Sequence, residues 1–378
     1  MKEVKKILVV GGGIGGLSSG IALSQRGYQV EIAEVQKEFN VYGVGIIQPA
    51  NALRALDALG LADEAMRKGS PYGKVKMCTS SGHVFTEVGV PPIGRLPSHN
   101  GISRRILHEI LYEEARRQGV HFRMGCTVSE LQNSPDEVAV RFTDGSSETY
   151  ELVIGADGIH SKMRTMILGE YKPRYTGQSV WRYAFPRLPE LDTGYMFMGR
   201  KSKAGLIPMT NNTMYLFLVT SEGADNPFIQ QEEMVPRMKT WLAEYSAPMI
   251  RSVIEEITDP QKVVYRPLEV LFVPPPWYKN RVVLIGDAVH ATIPQLGQGA
   301  GLALEDSVVL AELLNTENDL EAAFQKFMDR RLERCKMIVD VSVQLGELEQ
   351  LDWKGQLPEG TNLGAIIGKA SAAMMKEI

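Results

Sequence analysis

The run Lys6-Ile7-Leu8-Val9-Val10 is apolar without alternation and stops at Gly11-Gly12-Gly13. A short continuous apolar run closed by glycine predicts a strand covered on both faces, as in a parallel sheet. Leu152 to Gly155 and Arg281 to Gly286 repeat the signature, each ending in glycine. Leu17 to Arg26 has a helical pattern with Gly27 as its stop, and Gln29 to Ala33 is a second strand ending at Glu34. Strand, helix and strand in this order predict an α/β unit.

Elsewhere the pattern changes character. Gly43 to Pro49 is an apolar, glycine-bearing loop, either a close approach to a flat ligand or a tight connector. Asn51 to Leu59 is helical and stops at Gly60, and Ser103 to Arg117 is helical with Ser103 as N-cap and Gly119 as stop. Val75 to Thr79 and His83 to Val88 flank Ser80-Ser81-Gly82, a hairpin signal. Thr127 to Leu131, Glu137 to Phe142 and Glu148 to Leu152 read as antiparallel strands, with Asp144-Gly145 turning the last pair. From Tyr175 to Val264, strand-like segments rich in aromatic and β-branched residues precede two helical patterns broken near Pro248. This predicts an inserted sheet domain that also takes in the hairpin. The boundaries are 1–72, 98–174 and 265–335 for a discontinuous nucleotide-binding domain, 73–97 and 175–264 for the insert, and 336–378 for a C-terminal helical segment.

Composition narrows the class. The chain has 378 residues, 44% hydrophobic and 23% charged, which suits a globular α/β protein. Its net charge of −4 and lack of a basic run exclude nucleic acid as the expected partner. Cys78, Cys126 and Cys335 are far apart, so neither structural zinc nor a disulfide framework is expected, and no metal site is assigned. No apolar run reaches the ~18 residues of a spanning helix, and no leader precedes the first strand. The expectation is a cytoplasmic protein, monomeric or homodimeric, without a membrane partner.

The candidate chemistry sits where glycine follows the buried strands. Gly11, Gly13 and Gly16 fit G-x-G-x-x-G: a tight turn, room for a pyrophosphate, and close helix–strand packing. The helix that follows offers unpaired N–H groups to phosphate, and Glu34 is placed to accept from a ribose hydroxyl. Arg104 begins its helix, an unfavourable place for a cation, so either an anion holds it or solvent does. Asp157, in Gly155-Ala156-Asp157-Gly158, suits a ligand hydroxyl or a structural turn, and Arg164 suits pairing with nearby acids. Gly286-Asp287-Ala288, His290, Pro294 and Gly297 to Gly301 form a second glycine loop before a helix from Leu302 to Leu314. No second β-G-x-G-x-x-G-α unit follows, so one dinucleotide is held by a full fold and any other nucleotide visits transiently.

Taken together, these three motifs resemble the single-component, FAD-dependent aromatic hydroxylases (group A flavoprotein monooxygenases), which include p-hydroxybenzoate, salicylate and urate hydroxylases. The resemblance runs from Lys6 to Arg331, and the insert is as similar to the alkylquinolone branch as to urate hydroxylase. It implies a p-hydroxybenzoate hydroxylase-like fold: a Rossmann-like FAD domain, an inserted mixed β-sheet and C-terminal helices. It also implies non-covalent FAD contacted by Gly11, Gly13, Gly15, Gly16, Glu34, Val35, Ile47, Arg104, Val128, Asp157, Asp287, Gly297, Gly299, Ala300 and Gly301. The implied reaction uses NADH or NADPH and O2. The reduced flavin forms a C4a-hydroperoxide, whose distal oxygen passes to a small aromatic or N-heteroaromatic substrate. Tyr215, Lys203 and Pro294 are the catalytic candidates, and Gln48, Trp181, Arg182, Tyr183 and Phe217 the substrate candidates. Tyr215 and Phe217 share one strand face, so both or neither meet the substrate. Lys203 departs from the arginine that urate hydroxylases carry there, losing a bidentate fork. A W-x-W-x-I-P segment, the mark of a halogenase, is absent. The competing readings are a reductase or dehydrogenase of the same superfamily and a non-catalytic flavin-binding protein.

Overall fold

The structure, a computed structural model, describes residues 4–39, 43–89, 91–223 and 226–378. Lys6–Val10 lies between Leu152–Gly155 and Gln29–Glu34, with Val282–Leu284 and His121–Met124 beyond them, all parallel. Tyr278–Lys279 adds an antiparallel edge. Ile7, Leu8, Val9 and Val10 are at most 1% exposed, which explains why their run is continuous rather than alternating. The helix Ile14–Ser24 packs against Arg104–Arg117 and Gly299–Thr316 on this sheet. The strands ending at Val10, Gly155 and Leu284 all deliver their carboxyl ends to glycine turns at one edge. Val128–Asn133, Val138–Phe142 and Ser147–Tyr150 form the antiparallel three-stranded sheet that the sequence predicts.

The insert is a seven-stranded mixed sheet. Its order is Val264–Val270, Arg174–Pro186, Thr213–Ser221, Ser202–Pro208, Gly194–Met198, Val75–Thr79 and Val84–Val88. The hairpin joins through parallel pairing of Val75–Thr79 with Gly194–Met198. Val264–Val270 pairs with Arg174–Pro186, so the boundary at 264/265 is corrected: the insert's sheet reaches Val270.

Register decides which side chains face the nucleotide domain. Arg182 lies opposite Phe217 and Phe217 opposite Gly205, while Tyr215 pairs with Ile207 and Val219 with Lys203 on the same face. Trp181 and Tyr183 alternate to the other face. They are buried there with Leu216 and Leu218 beneath the helices Met234–Leu242 and Pro248–Ile254.

Two further expectations are corrected. The segment read as a loop, Gly45–Pro49, is a strand of a small antiparallel sheet with His99–Ser103 and Ser70–Tyr72. Its spacing hides this, because the strand is short and pairs with a segment far away in sequence. The boundary at 335/336 falls inside one helix, Leu320–Trp353, which the shorter helix Leu363–Met375 follows. The buried stripe of the long helix includes Arg331, Ser342 and Glu349, which breaks the apolar period that would have announced it.

Candidate functional site

Two helix N-termini meet at the carboxyl edge of the parallel sheet. Ile14–Ser24 and Gly299–Thr316 run side by side in the same direction: Gly15 faces Ala303, and Ser18 Oγ lies 2.8 Å from Ser307 Oγ. Their starts, Gly13 and Gln298, therefore point the same way. Neither N-cap has a side-chain hydrogen bond, so the first N–H groups are offered outward. The turn before the first helix is tight. A Cβ on Gly16 would lie 1.8 Å from the Gly11 carbonyl oxygen, whereas one on Gly13 would meet nothing within 4 Å. One glycine closes the turn and the other leaves open space above the helix end. The Gly12 N–H donates to Glu34 Oε2 at 2.7 Å, and Gln36 N–H donates to Oε1 at 2.8 Å. This anchors the acid beside the turn. Val35 follows it, exposed, and Val128 is adjacent in the fold, since Cys126 N–H donates to the Glu34 carbonyl at 2.9 Å.

The other two glycine loops brace this edge. The Asp157 carboxylate accepts from Lys162 N–H at 2.8 Å, Met163 N–H at 3.0 Å and the Ser161 hydroxyl, so its own turn engages it. Arg164, expected to pair with acids, instead donates to the carbonyls of Ala288 (2.8 Å), Ile159 (3.0 Å) and Tyr171 (2.9 Å). It thereby ties the Asp157 loop to the Asp287 loop. Asp287 itself is exposed at the edge, and Gly297 turns with φ +65° after the Pro294–Leu296 turn.

Behind this edge lies a buried charge cluster that sequence reasoning missed. Arg331 Nε donates to Asp306 Oδ1 at 2.7 Å and Nη1 to Glu305 Oε2 at 2.8 Å. Asp306 Oδ2 accepts from Gly286 N–H at 2.9 Å and lies 2.6 Å from His290 Nε2. Burial opposes charge on the His290 ring, but Cys335 and Asp306 beside it outweigh that and hold its pKa well above the ordinary value. His290, Asp306 and Cys335 bring donor atoms within 4.8 Å of one another, the spacing of a metal cage. Arg331 fills the same space, donating to both Asp306 and Cys335 Sγ, so the cluster is an ion-pair network. It locks the second glycine loop to the long C-terminal helix.

The insert closes the site from the opposite side. Tyr215 packs against the small sheet so closely that a Cβ on Gly45 would sit 2.2 Å from its ring. Tyr72, Ile207, Met209 and Tyr215 form one buried cluster, with Ile47 and Phe217 packed against it. Ile47 thus stands where the two domains meet. Burial pushes the Tyr215 hydroxyl up to about 12, against the pull of Arg182 and Arg104, so near neutral pH it is an uncharged phenol. Burial also brings Arg182 down to about 10, opposed by Tyr215 and reinforced by Arg104 and Arg266. Among the described residues no carboxylate pairs with Arg104 or Arg182. Lys203 is already paired, with Glu349 of the long helix.

The sequence-based candidates therefore divide. Arg182, Lys203, Tyr215 and Phe217 share the face toward the glycine edge, with Pro294 in the loop nearby. Trp181 and Tyr183 are corrected: strand alternation turns them into the opposite apolar layer. Gln48 is also corrected. It pairs across to Asn100, whose Nδ2 donates to its Oε1 at 2.7 Å and to the Ala65 carbonyl at 3.0 Å, on the face turned toward the helix Ala62–Arg67. Glu349 escaped notice because it lies 146 residues from Lys203 in the sequence, on a helix whose buried stripe is not apolar.

These features fit a dinucleotide with a flat ring: orphan helix N–H groups, open space over Gly13, a fixed acid and unpaired cations. The comparisons agree. The model for the FAD binding domain family matches residues 4–341. The chain is 31% identical to the aurachin C monooxygenase/isomerase of Stigmatella aurantiaca, covering 93% of this chain and 91% of that one. It is 30% identical to the FAD-dependent urate hydroxylase of Klebsiella pneumoniae, covering 88% of each. The structure superimposes on that of Klebsiella pneumoniae HpxO complexed with FAD and uric acid with a TM-score of 0.86 and 28% identity. The match covers 98% of this chain and 97% of that one.

Proposed function

This chain belongs to the FAD-binding monooxygenase family, and from that premise we propose that it hydroxylates a small aromatic or N-heteroaromatic compound with NAD(P)H and O2. The observation that carries the reading is the convergence of two uncapped helix starts with the Arg182–Tyr215–Phe217 face of the insert.

FAD supplies the redox and oxygen-activating chemistry when bound. The chain supplies the rest. The Gly11–Gly16 turn and the N–H groups after Gly13 would bind the pyrophosphate, with Arg104 adding positive charge, and Glu34 would take the ribose hydroxyl. The N–H groups at Gly297 to Gly301, together with Pro294 and Ile47, would hold the flavin ring. Phe217 and Tyr215 present an apolar face with one neutral hydroxyl, which orients a substrate ring without deprotonating it. The insert packs against the small sheet here, and excluding water at this seam would favour the oxygen-activating chemistry that FAD supplies. NADH or NADPH visits transiently, since the parallel sheet carries a single G-x-G-x-x-G turn.

The test is a panel of phenols, benzoates, pyridines and quinolones with the FAD-loaded protein. The expected result is NAD(P)H oxidation stimulated by some members and one atom of ¹⁸O from ¹⁸O2 in the product. Hydrogen peroxide as the sole product with every compound, or turnover that proceeds without oxygen, would overturn it.

A further inference from the structure

Lys203 is the cation that the substrate face would present beside Phe217, and the structure has already neutralised it. Its ammonium pairs with Glu349, each side chain being 9% exposed. The carboxylate is held from other elements as well. Gln178 Nε2 donates to Glu349 Oε2 at 3.4 Å and Gln295 Nε2 donates to the same oxygen at 3.3 Å. Gln295 Nε2 also donates to Gln178 Oε1 at 3.2 Å, which fixes both amide orientations. Four residues from the insert, the C-terminal helix and the second glycine loop are thus joined around one ion pair. Gln295 directly follows Pro294, so the pair is wired to the loop that flanks the ring site.

We propose that Glu349 is a specificity-determining residue: by cancelling the charge of Lys203, it makes this end of the substrate chamber accept an uncharged ring substituent and disfavour a carboxylate. The inference rests on the function proposed above. The chemical reason is direct. A carboxylate brought to the Lys203 ammonium meets the Glu349 charge at the same place, whereas a carboxamide, ring carbonyl or ring N–H does not. Arg182 stands two strands away across Phe217 and beside Tyr215, and Arg266, opposite Val180, stands three strands away, so neither restores the lost charge locally. Glu349 acts through Lys203 and is a positioning residue, not a catalytic one.

The experiment measures dissociation constants, from the change in flavin absorbance, for matched pairs of acid and amide: nicotinate with nicotinamide, and salicylate with salicylamide. FAD-loaded wild type, Glu349→Gln, Lys203→Met and the double variant Lys203→Met/Glu349→Leu are compared. Glu349→Gln should raise the affinity for acid relative to amide at least tenfold. Lys203→Met should lower it, because an unpaired carboxylate remains. The double variant should stay within threefold of wild type. A ratio unchanged in Glu349→Gln, or single variants shifting it in the same direction, would overturn the proposal. Should Glu349→Gln fail to fold, Lys203→Met and the double variant, which replaces a buried ion pair with apolar groups, decide the matter alone. If no compound perturbs the flavin or stimulates NAD(P)H oxidation in wild type, the functional reading falls, and the charge assignment with it.

Discussion

Replacing Arg331 with methionine tests what holds the C-terminal helix against the nucleotide domain. Arg331 is fully buried and bridges Glu305 at 2.8 Å and Asp306 at 2.7 Å. The substitution keeps most of the apolar volume but strands two buried carboxylates. Glu305 retains Arg334, with Nη2 at 2.8 Å, and Asp306 retains His290. Removing one partner of a buried pair typically costs about 3–5 kcal/mol. With an unfolding entropy of about 2.1 cal/mol/K per residue over this chain, a loss of about 4 kcal/mol lowers Tm by about 5 °C. The pH dependence distinguishes charge from volume. Burial would raise the pKa values of Glu305 and Asp306, but Arg331 helps to outweigh it, with Arg334 at Glu305 and His290 at Asp306, and both lie below the ordinary values. Carboxyls depressed by folding contribute stability above the unfolded pKa of about 4 and lose it as pH falls. The difference between wild type and variant should therefore be full at pH 7 and shrink below about pH 4, where protonation relieves the stranded charges. Urea and thermal unfolding followed by Trp277 fluorescence measure this, since that indole lies against His290 and Phe327 in the same layer. A loss under about 1 kcal/mol, or a deficit independent of pH, would refute the argument.

Two further outcomes are expected. Gly16→Ala places a methyl 1.8 Å from the Gly11 carbonyl oxygen, so the turn must open; the purified protein should retain less than a tenth of the FAD held by wild type, and a fully yellow variant would contradict the reading. Burial lowers the His99 pKa to about 4, so the unfolded chain binds its proton first. Its contribution is complete above about pH 6.5 and disappears between there and about pH 4, a swing of about 3 kcal/mol. Urea titrations from pH 7 to pH 4 should show this slope in wild type and lose it in His99→Gln; equal slopes in both would rule it out.

What local pattern could determine, it determined well. The continuous run Ile7 to Val10, the glycine spacing at Gly11, Gly13 and Gly16, and the acid at Glu34 specify a covered parallel strand, a tight turn and an acid beside it within one short stretch. Each depends on neighbours in the chain, so no distant contact was needed to read them. Strand alternation likewise placed Tyr215 and Phe217 on one face. Which face meets the site was a different question. It depends on which side the helices Met234–Leu242 and Pro248–Ile254 cover, and this turned Trp181 and Tyr183 away while leaving Arg182. The pairing of Gly45–Pro49 with His99–Ser103, and the joining of Lys203 to Glu349 across most of the insert and the C-terminal helix, were beyond local reading for the same reason. A buried charge has no periodic signature of its own: Arg331 and Glu349 look like surface residues of a helix until the fold brings their partners to them. Sequence alone thus determined the strand–turn–helix seat and the flavin-binding class. Only tertiary packing decided which face of the insert turns toward the glycine edge and that Lys203 is paired with Glu349 there, because those arise from contacts between segments that share no local pattern.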